Sequence, residues 1–337
     1  MHCTSKTRRQ LLSTLALGAA WPASQAVAQT AGGQVVLYSS NNAQSVETVT
    51  DVARKAMPGV RVNAITGGSG QLLRRMQAEA AKPLADVFWT SSANVMGAFR
   101  PLFEPYKSRE AAAVPVALHD EQGLWTGANI HVVVAMINLR RLGANPPLTW
   151  ADMTAPQYKG KIIIADPANS STAYTALWGA DTLLGAEGLK KLAANVTVSS
   201  NAANVARSVG QGEYAVGLTF ESTAYPYVAG GQKEIRLIYP KDGTFVVADS
   251  MALVKGAPNL AHAKRMYDVL LSKEMQIGLL QNAFRRPSRS DIDVSTYVDM
   301  PALSGIKVAP MDDNKAAAGR DAFLARWQGY VAAGRGG

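Results

Sequence analysis

Cysteine is almost absent from this chain of 337 residues, which contains a single one, Cys3. That residue lies in an N-terminal segment that we expect to be removed, so the remaining chain has no thiol. Disulfide bonds, thiolate nucleophiles and thiolate-bound metals are thereby excluded from the mature protein. A protein of this size without disulfides must be stabilised by a large hydrophobic core.

Several functional signatures are also missing. No segment after the N-terminus reaches eighteen consecutive apolar residues, so the sequence predicts no membrane-spanning helix there. The sequence contains no cluster of Lys and Arg and no aromatic residues interleaved with basic ones, so it gives no indication of nucleic-acid binding. The chain lacks H-E-x-x-H and a Walker P-loop, and Gly68-Ser69-Gly70 is not a nucleophile elbow, because Gln71 replaces the last glycine.

Residues 1–28 have the pattern of an export signal. Basic residues Lys6, Arg8 and Arg9 precede a short apolar run at 11–21, and Ala26-Val27-Ala28 matches an A-x-A cleavage site. Arg8 and Arg9 fit a twin-arginine signal, with an ordinary Sec signal as the alternative. Removal would leave 309 residues and would lower the formal net charge from +9 to +6. We therefore expect a modestly basic protein in the periplasm, of a length typical of two domains.

Three strand–turn–helix units follow one another, with strands at 34–38, 61–65 and 85–89. This alternation predicts a parallel sheet with helices on its faces, the α/β class. Each strand is followed by small polar residues, namely Ser39-Ser40, Gly68-Ser69 and Ser91-Ser92. Ligands of open α/β sheets bind outside the carboxyl ends of the strands, so these turns should converge on one site.

The glycine-rich turn from Thr66 to Leu73 is the most distinctive of the three. Its glycines allow a tight turn and a close approach by another group. Ser69 is placed to cap the following helix, whose exposed N–H groups could bind an anion. A capped turn without a ligand is the alternative interpretation of this stretch.

The middle of the chain repeats the pattern. A buried strand at 162–164 precedes a helix that begins near Ser171, and a strand at 214–220 precedes Glu221 and an aromatic turn at 225–227. We expect the chain to cross into a second lobe near 127–131 and to return near 243–250. Lobe 1 would comprise 29–129 and 249–337, and lobe 2 would comprise 130–248. Two α/β lobes joined by two crossing segments suit a hinged clamp around a ligand.

Several phrases of the sequence resemble the periplasmic solute-binding proteins of bacterial ABC importers, of the extracellular family 1 type. The matching phrases are Val36-Leu37-Tyr38-Ser39, Thr66-Gly67-Gly68-Ser69-Gly70, Ala85-Asp86-Val87-Phe88-Trp89-Thr90, Ala252-Leu253-Val254-Lys255-Gly256-Ala257-Pro258-Asn259, Leu270-Leu271-Ser272-Lys273-Glu274 and Arg285-Arg286-Pro287. The resemblance implies a type II periplasmic-binding fold, closure of the lobes on a ligand, and delivery of that ligand to a membrane permease.

Within that family the chain is similar to binders of ferric ion, of aminoethylphosphonate and of sugar phosphates. The ferric group uses a histidine, a glutamate and a tyrosine pair, and the corresponding positions here hold Asn42, Ser91 and Glu221-Ser222. Neutral amides and hydroxyls are poor ligands for Fe(III), although nearby Tyr225 and Tyr227 leave a rearranged iron site open. The hydroxyl-rich set suits a phosphate or phosphonate, and the stretch 171–175 resembles the second-lobe turn of the phosphonate and sugar-phosphate groups.

The candidate ligand contacts come from both lobes. We expect no catalytic residue, metal ligand or cofactor. The candidates are Tyr38, Ser39, Ser40, Gly68, Ser69 and Ser91 in lobe 1, Ser171, Thr172, Ala173 (through its N–H), Glu221 and Tyr225 in lobe 2, and Asp249 at the return crossing. For the hydroxyl residues the alternative is helix capping alone, for Glu221 a helix-start carboxylate, and for Asp249 a hinge hydrogen bond or salt bridge. Trp89 is expected in the core, with a place in the cleft wall as the alternative. Arg285 and Arg286 are expected on the surface, with contact to an anion as the alternative.

The function predicted from the sequence is therefore that of a monomeric periplasmic receptor. It would close over a small phosphonate or phosphate such as 2-aminoethylphosphonate, and would dock on an ABC permease without performing chemistry. Three alternatives remain at this point: a ferric-ion binder, an exported serine-dependent phosphate-ester hydrolase, and a ligand-sensing subunit of a membrane sensor kinase.

Overall fold

The computed structural model of the chain describes residues 32–89, 93–143 and 145–335. The predicted export signal and the candidate Ser91 lie outside these residues. No helix in the described ranges is long and apolar enough to cross a membrane.

Strands and helices alternate along most of the chain, as the polar turns between apolar segments predict. The strands are β1 (Gly33–Ser39), β2 (Val60–Thr66), β3 (Val87–Trp89), β4 (Phe103–Glu104), β5 (Thr126–Asn138), β6 (Ile162–Ala165), β7 (Val196–Ser199), β8 (Val216–Phe220), β9 (Ile235–Ile238), β10 (Val246–Val254) and β11 (Arg286–Pro287). The helices are α1 (Ala43–Ala56), α2 (Ser69–Ala78), α3 (Ala93–Met96), α4 (Leu139–Leu142), α5 (Ser171–Asn195), α6 (Ala203–Gly210), α7 (Glu221–Ala229), α8 (Leu260–Leu271), α9 (Lys273–Ala283), α10 (Asp313–Ala318) and α11 (Arg320–Arg335).

The described strands form one sheet in the order β2-β1-β3-β10-β5-β8-β6-β7, with β4, β9 and β11 paired at its sides. The pairs β1–β2 and β1–β3 are parallel, as predicted, and so are β6–β7 and β6–β8. We call β2-β1-β3-β10 the first half of the sheet and β8-β6-β7, with β9, the second half.

The long strand β5 joins the two halves. Its first part, up to Val132, pairs with β10, and its second part, from Val133, pairs antiparallel with β8 and β9. Both segments predicted as crossings, 127–131 and 243–250, therefore lie on or beside the paired strands β5 and β10. Because the two strands are hydrogen-bonded to each other, the passage between the halves is a continuous piece of sheet.

Apolar side chains from both faces of the sheet form the core. A cluster against α1, α8 and α9 includes Val35, Leu37, Val49, Met266 and Leu279, all buried. A larger cluster extends over both halves and includes Tyr38 and Phe88 of the first half and Tyr174 and Phe245 near the second. Trp89 is fully buried, which confirms its assignment to the core.

The C-terminal helices contact both halves of the protein. Helix α10 packs beside α3, and Ala316 of α10 accepts a hydrogen bond from the Tyr174 hydroxyl of α5. Helix α11 packs along α5, where the Phe323 ring lies 5.6 Å from the Tyr174 ring in an edge-to-face arrangement. The end of the chain thus supports the helix whose start lies in the candidate site.

Two local predictions are wrong. The residue that caps α2 is Gly68, and Ser69 is the first residue of the helix instead of its cap. The stretch 225–227 is not a turn, because it lies within α7 (Glu221–Ala229). Pro226 follows five helical residues, so its missing N–H costs one internal hydrogen bond and the helix ends soon afterwards.

Glycine at position 179 allows α5 to approach the core closely. A Cβ placed on Gly179 would lie 2.4 Å from the ring of the buried Phe245. We expect Gly179→Ala to lower the free energy of unfolding by about 1–3 kcal/mol, since the ring has no room to move.

In the matched variant Gly329→Ala, the new methyl group of α11 meets nothing within 4 Å. That change should raise the free energy of unfolding by about 0.5–1 kcal/mol through helix propensity. Urea unfolding followed by tryptophan fluorescence measures both, and equal effects would contradict this account of the packing.

Candidate functional site

A cavity of about 530 Å³ lies where strand ends from both halves of the sheet meet. Its volume falls within the range of small-molecule sites. Its lining is mostly hydroxyl, amide and backbone groups, contributed by Ser40, Asn41, Asn42, Ala43, Thr66, Gly67, Gly68, Ser69, Gln71, His131, Asn169, Ser170, Ser171, Thr172, Ser200, Asn201, Ala202, Ala203, Thr219, Phe220, Thr223, Asp249 and Arg285. Two of the three polar turns predicted to converge, those with Ser40 and with Gly68-Ser69, contribute to the lining together with the start of α5 and the loop 200–203, whereas Ser91-Ser92 lies outside the described residues.

Five helices begin at this cavity, namely α1, α2, α5, α6 and α7, and the first four share one electrostatic feature. Residues at or next to each helix start line it, including Asn42, Ser69, Ser171 and Ala203. None of these four helices has an acidic residue in its first turn, whereas α7 begins with Glu221, which is paired with Arg286. Each of these four N-termini therefore carries a partial positive charge that no carboxylate in its own first turn cancels, although several of the N–H groups, such as those of Ser45, Ser171 and Ala203, already donate within the protein. The combined field in the cavity favours an anion.

Six of the predicted contacts line the cavity. They are Ser40, Gly68, Ser69, Ser171, Thr172 and Asp249. Two of them also contact each other, because the Ser171 N–H donates to the Ser69 Oγ at 2.9 Å. Ser69, which was predicted to cap α2, therefore accepts from the opposite helix start.

Three other predicted contacts are not among the lining residues. The Tyr38 ring is buried and its hydroxyl donates to Glu79 at 2.9 Å; burial, with Glu79, raises the pKa of Tyr38 to about 12. The Ser39 side chain is fully buried and its Oγ accepts from the Asn41 N–H at 3.1 Å. The Ala173 N–H donates to the Ser170 Oγ at 3.3 Å, so the helix cap already uses it. Each of these three groups is already hydrogen-bonded to another group of the protein.

Glu221 is likewise outside the cavity lining, in a buried ion pair. Its carboxylate accepts from Arg286 Nε at 2.7 Å and Nη2 at 2.9 Å, and both side chains are 2% exposed. The Tyr239 hydroxyl also donates to Glu221, and burial raises the pKa of Tyr239, which keeps that donor protonated. The expectation that Arg286 lies on the surface is wrong, because a buried carboxylate requires a partner of this kind.

Tyr225 is also outside the lining. Its hydroxyl donates to the backbone carbonyl of Asp299, and its ring packs 4.9 Å from that of Phe284. Its place on α7 turns it toward the C-terminal loop rather than the cavity.

Arg285 is a cavity residue that the sequence interpretation assigned to the surface. It is 4% exposed and donates to Asp249 Oδ2 at 3.1 Å, to Asn41 Oδ1 at 2.6 Å and to Ser45 Oγ at 2.8 Å. Burial alone would raise the pKa of Asp249, but His131, Arg285 and Asn41 outweigh it, so the pKa is lowered. The one available signal was Asp249 itself, since a carboxylate inside an apolar strand needs a cation.

His131 completes this buried group. Its ring is stacked on Phe220 with centroids 4.3 Å apart, and its Nε2 lies 3.1 Å from Arg285 Nη1. Nε2 also lies 3.5 Å from Asp249 Oδ2, and Nδ1 lies 3.4 Å from Ser222 Oγ. Because a guanidinium can only donate, the shorter contact with Arg285 favours the tautomer with the proton on Nδ1. Burial lowers the pKa of His131, so the ring is neutral at pH 7. The floor of the cavity therefore contains one cation and one anion that neutralise each other.

Ser222, His131 and Asp249 together have the residue types of a hydrolytic triad. However, Ser222 is buried and is not among the residues that line the cavity. A nucleophile must reach the substrate, so this trio is not arranged for attack on a bound ester. Within the described ranges, no group of three or more His, Cys, Asp or Glu side chains is arranged to hold a metal ion.

Comparison with known proteins identifies relatives of the chain. Residues 82–318 match the family model described as "Bacterial extracellular solute-binding protein". The chain is 27% identical over 297 residues to iron uptake protein A1 of Synechocystis, which covers 81% of each protein. It is 24% identical over 349 residues to the putative 2-aminoethylphosphonate-binding periplasmic protein of Salmonella typhimurium, which covers 95% of this chain and 97% of that one.

The fold is similar to that of a solved structure with a sugar phosphate bound. This is the periplasmic binding protein AfuA from Actinobacillus pleuropneumoniae with exogenous fructose-6-phosphate, at a TM-score of 0.79 and 26% identity. The match covers 89% of this chain and 98% of AfuA. The architecture is thus the type II periplasmic-binding fold.

The neutral His131 makes stability depend on pH. In the unfolded chain a histidine binds a proton below about pH 6.5, whereas in the folded protein its pKa is lower. Unfolding therefore takes up a proton, so the free energy of unfolding should fall as pH decreases below 6.5, by up to about 1.4 kcal/mol per pH unit. Above pH 6.5 the ring is neutral in both the folded and the unfolded protein, so His131 no longer makes stability depend on pH.

The variant His131→Gln tests this dependence, because glutamine can still accept from Arg285 and donate to Ser222. Urea unfolding at pH 7.5, 6.5, 5.5 and 5.0 should show a smaller slope for the variant between 6.5 and 5.0. Asp249 titrates at lower pH, since its pKa is lowered, and does not contribute in that window. Equal slopes in the two proteins would contradict the assignment of a neutral, buried His131.

Proposed function

Because this chain belongs to the bacterial extracellular solute-binding proteins, the periplasmic solute-binding components of ABC importers, we propose that it captures a phosphonate or phosphate. The ligand would be a small organic anion of the kind represented by 2-aminoethylphosphonate. The protein would act as a monomer, after export by the twin-arginine route, and would deliver its ligand to an ABC permease in the inner membrane.

The observation that carries the proposal is the convergence of four helix N-termini on one cavity whose ionised side chains neutralise each other. Arg285 is paired with Asp249, so the electrostatic preference comes from the starts of α1, α2, α5 and α6. Backbone N–H groups and hydroxyls such as that of Thr172 suit the oxygens of a tetrahedral anion, which accept several hydrogen bonds at once. The names of two relatives, a phosphonate binder and a sugar-phosphate-bound receptor, agree with this chemistry.

We further propose that the halves of the sheet correspond to two lobes that move about β5 and β10. Lobe 1 would comprise 29–129 and 249–337, and lobe 2 would comprise 130–248, with hinges near 127–131 and 243–250; helix α11 packs along α5 and would move with lobe 2. The cavity between them includes residues from both, such as Ser69 and Thr172. Closing the cleft around an anion excludes water and strengthens each hydrogen bond to it.

Ferric ion is the competing ligand, since iron uptake proteins are among the relatives. Fe(III) prefers anionic oxygen ligands. The carboxylate in the described lining is Asp249, which already accepts from Arg285 and Asn41. Tyr225, the phenol considered for a rearranged iron site, donates its hydroxyl to a backbone carbonyl instead.

Thermal unfolding in the presence of candidate ligands tests the choice. The panel contains 2-aminoethylphosphonate, hexose phosphates, inorganic phosphate, sulfate and Fe(III) with and without citrate. A ligand at 100 times its Kd adds about 2.7 kcal/mol of stability, which shifts the melting temperature by several degrees. We expect a shift with a phosphonate or phosphate ester.

Stabilisation by Fe(III) alone, with a visible charge-transfer band, would reject the proposal in favour of the iron binder. Release of phosphate from an ester would favour the hydrolase.

Thr172→Val tests one proposed contact. The change keeps the shape of the side chain and removes its hydroxyl, so affinity for a bound phosphate ester or phosphonate should fall by about 1–3 kcal/mol, measured by titration calorimetry. Thr182→Val is the matched control on the same helix, because Thr182 is exposed and its hydroxyl donates within α5 to Trp178 O. Unchanged affinity in Thr172→Val would remove this residue from the site.

A further inference from the structure

The two walls of the cavity contact each other directly at its rim. The start of α2, which follows β2 in the first half, meets the loop before α5, which follows β6 in the second half. The Ser171 N–H donates to Ser69 Oγ at 2.9 Å, and the Gly70 N–H donates to the Asn169 carbonyl at 3.4 Å. These hydrogen bonds join protein groups and need no ligand between them. We call residues 68–74 with 168–171 the rim contact.

Arg74 extends the rim contact beyond the cavity, whose lining does not include it. Its Nη2 donates to Asn169 Oδ1 at 2.7 Å and its Nη1 donates to the Ala168 carbonyl at 3.3 Å. Hydrogen bonds within the loop orient it to accept these two bonds from Arg74. Asp166 accepts from the Asn169 side-chain amide at 2.7 Å and from the Ala168 N–H at 2.9 Å. The Asn169 side chain is thereby oriented with its oxygen toward Arg74.

Two glycines make the approach of the walls sterically possible. A Cβ on Gly70 would lie 2.1 Å from the Ala168 carbonyl oxygen, and one on Gly68 would lie 2.5 Å from that of Asn169. Both atoms belong to the backbone of the opposite wall, so no side chain can rotate away. On Gly67, by contrast, the nearest contact would be an ordinary one at 3.4 Å, to Leu72 of the following helix α2. Any side chain at position 70 is therefore compatible only with separated walls.

We propose that Gly70 and Arg74 are positioning residues of a reversible clasp that holds the two walls closed over the cavity. Gly70 permits the approach, and Arg74 with Asn169 holds it. Arg74 is exposed, so each of its hydrogen bonds is weak enough to break when the walls separate. The clasp sets how long the cavity stays closed, whereas the helix starts set what it accepts. This inference rests on the proposed movement of the two lobes and does not depend on the chemistry of the ligand.

Pulsed EPR distance measurements test the clasp without any ligand. Spin labels are attached at Lys55→Cys on α1 and Lys190→Cys on α5, both exposed, in a Cys3→Ser background that has no other thiol. The wild-type background should contain a short-distance population for the closed state. We expect Gly70→Ala to eliminate that population and Arg74→Gln to reduce the ratio of closed to open molecules about threefold to tenfold.

Arg75→Gln is the matched control, because it removes the same charge from the neighbouring position of α2. Arg75 donates to Glu79 within that helix and does not reach the opposite wall. Its distance distribution should therefore match that of the wild type. Circular dichroism verifies that each variant is folded. If Gly70→Ala does not fold, the comparison of Arg74→Gln with Arg75→Gln tests the clasp by itself.

Three results would overturn the clasp: no short distance in the wild-type background, a Gly70→Ala distribution that superimposes on it, or an equal effect of Arg75→Gln and Arg74→Gln. None of these depends on which ligand is bound. A clasp that behaves as expected in a protein that no phosphate or phosphonate stabilises would reject the proposed ligand and leave the clasp standing.

Discussion

The buried pair of Arg285 and Asp249 is the interaction around which the site is arranged. It joins four parts of the chain, because Arg285 also donates to Asn41 and Ser45 at the start of α1 and to His131 on β5. Removing two charges from water costs several kcal/mol, and only complete hydrogen bonding offsets that cost. Each nitrogen of this guanidinium has an acceptor. The pair therefore holds β5, β10 and the first helix start in one fixed arrangement beneath the cavity.

This pairing has a consequence for binding. Since the two charges cancel, the proposed preference of the cavity for an anion would come mainly from helix N-termini and hydroxyl dipoles. Such groups are already oriented by the fold and lose little freedom when a ligand enters. A receptor in a transport system has to release what it binds, and a field built from partial charges suits that requirement better than an unpaired cation would. The clasp at the rim divides the task further, because it stabilises the closed cavity with contacts that the ligand does not make.

Much of this arrangement was predictable from the sequence. The strands near 34–38 and 61–65 and the helix starts near Ser69 and Ser171 follow from apolar patterning interrupted by small polar residues. The convergence of those turns follows from a general property of parallel sheets. The resemblance to periplasmic solute-binding proteins is confirmed by the family match, and the predicted α/β fold by its structural relatives. Partner choice for individual polar groups was less predictable, as Glu221 and Arg286 illustrate: one was assigned to the ligand and the other to solvent, yet they bind each other.

The sequence by itself therefore determined the fold class, the order of the elements and the family, because these depend on local periodicity and on neighbours along the chain. Only the tertiary structure decided which polar groups face the cavity and which are satisfied inside the protein. Ser69 and Ser171 are 102 residues apart, and Arg285 is 36 residues from Asp249. Pairings at such separations leave no periodic signal in the sequence, since each residue alone is equally compatible with a cap, a ligand contact or a buried bond. The glycine-rich turn shows both levels: its glycines indicated a close approach, and the fold revealed that the approaching group is the opposite wall.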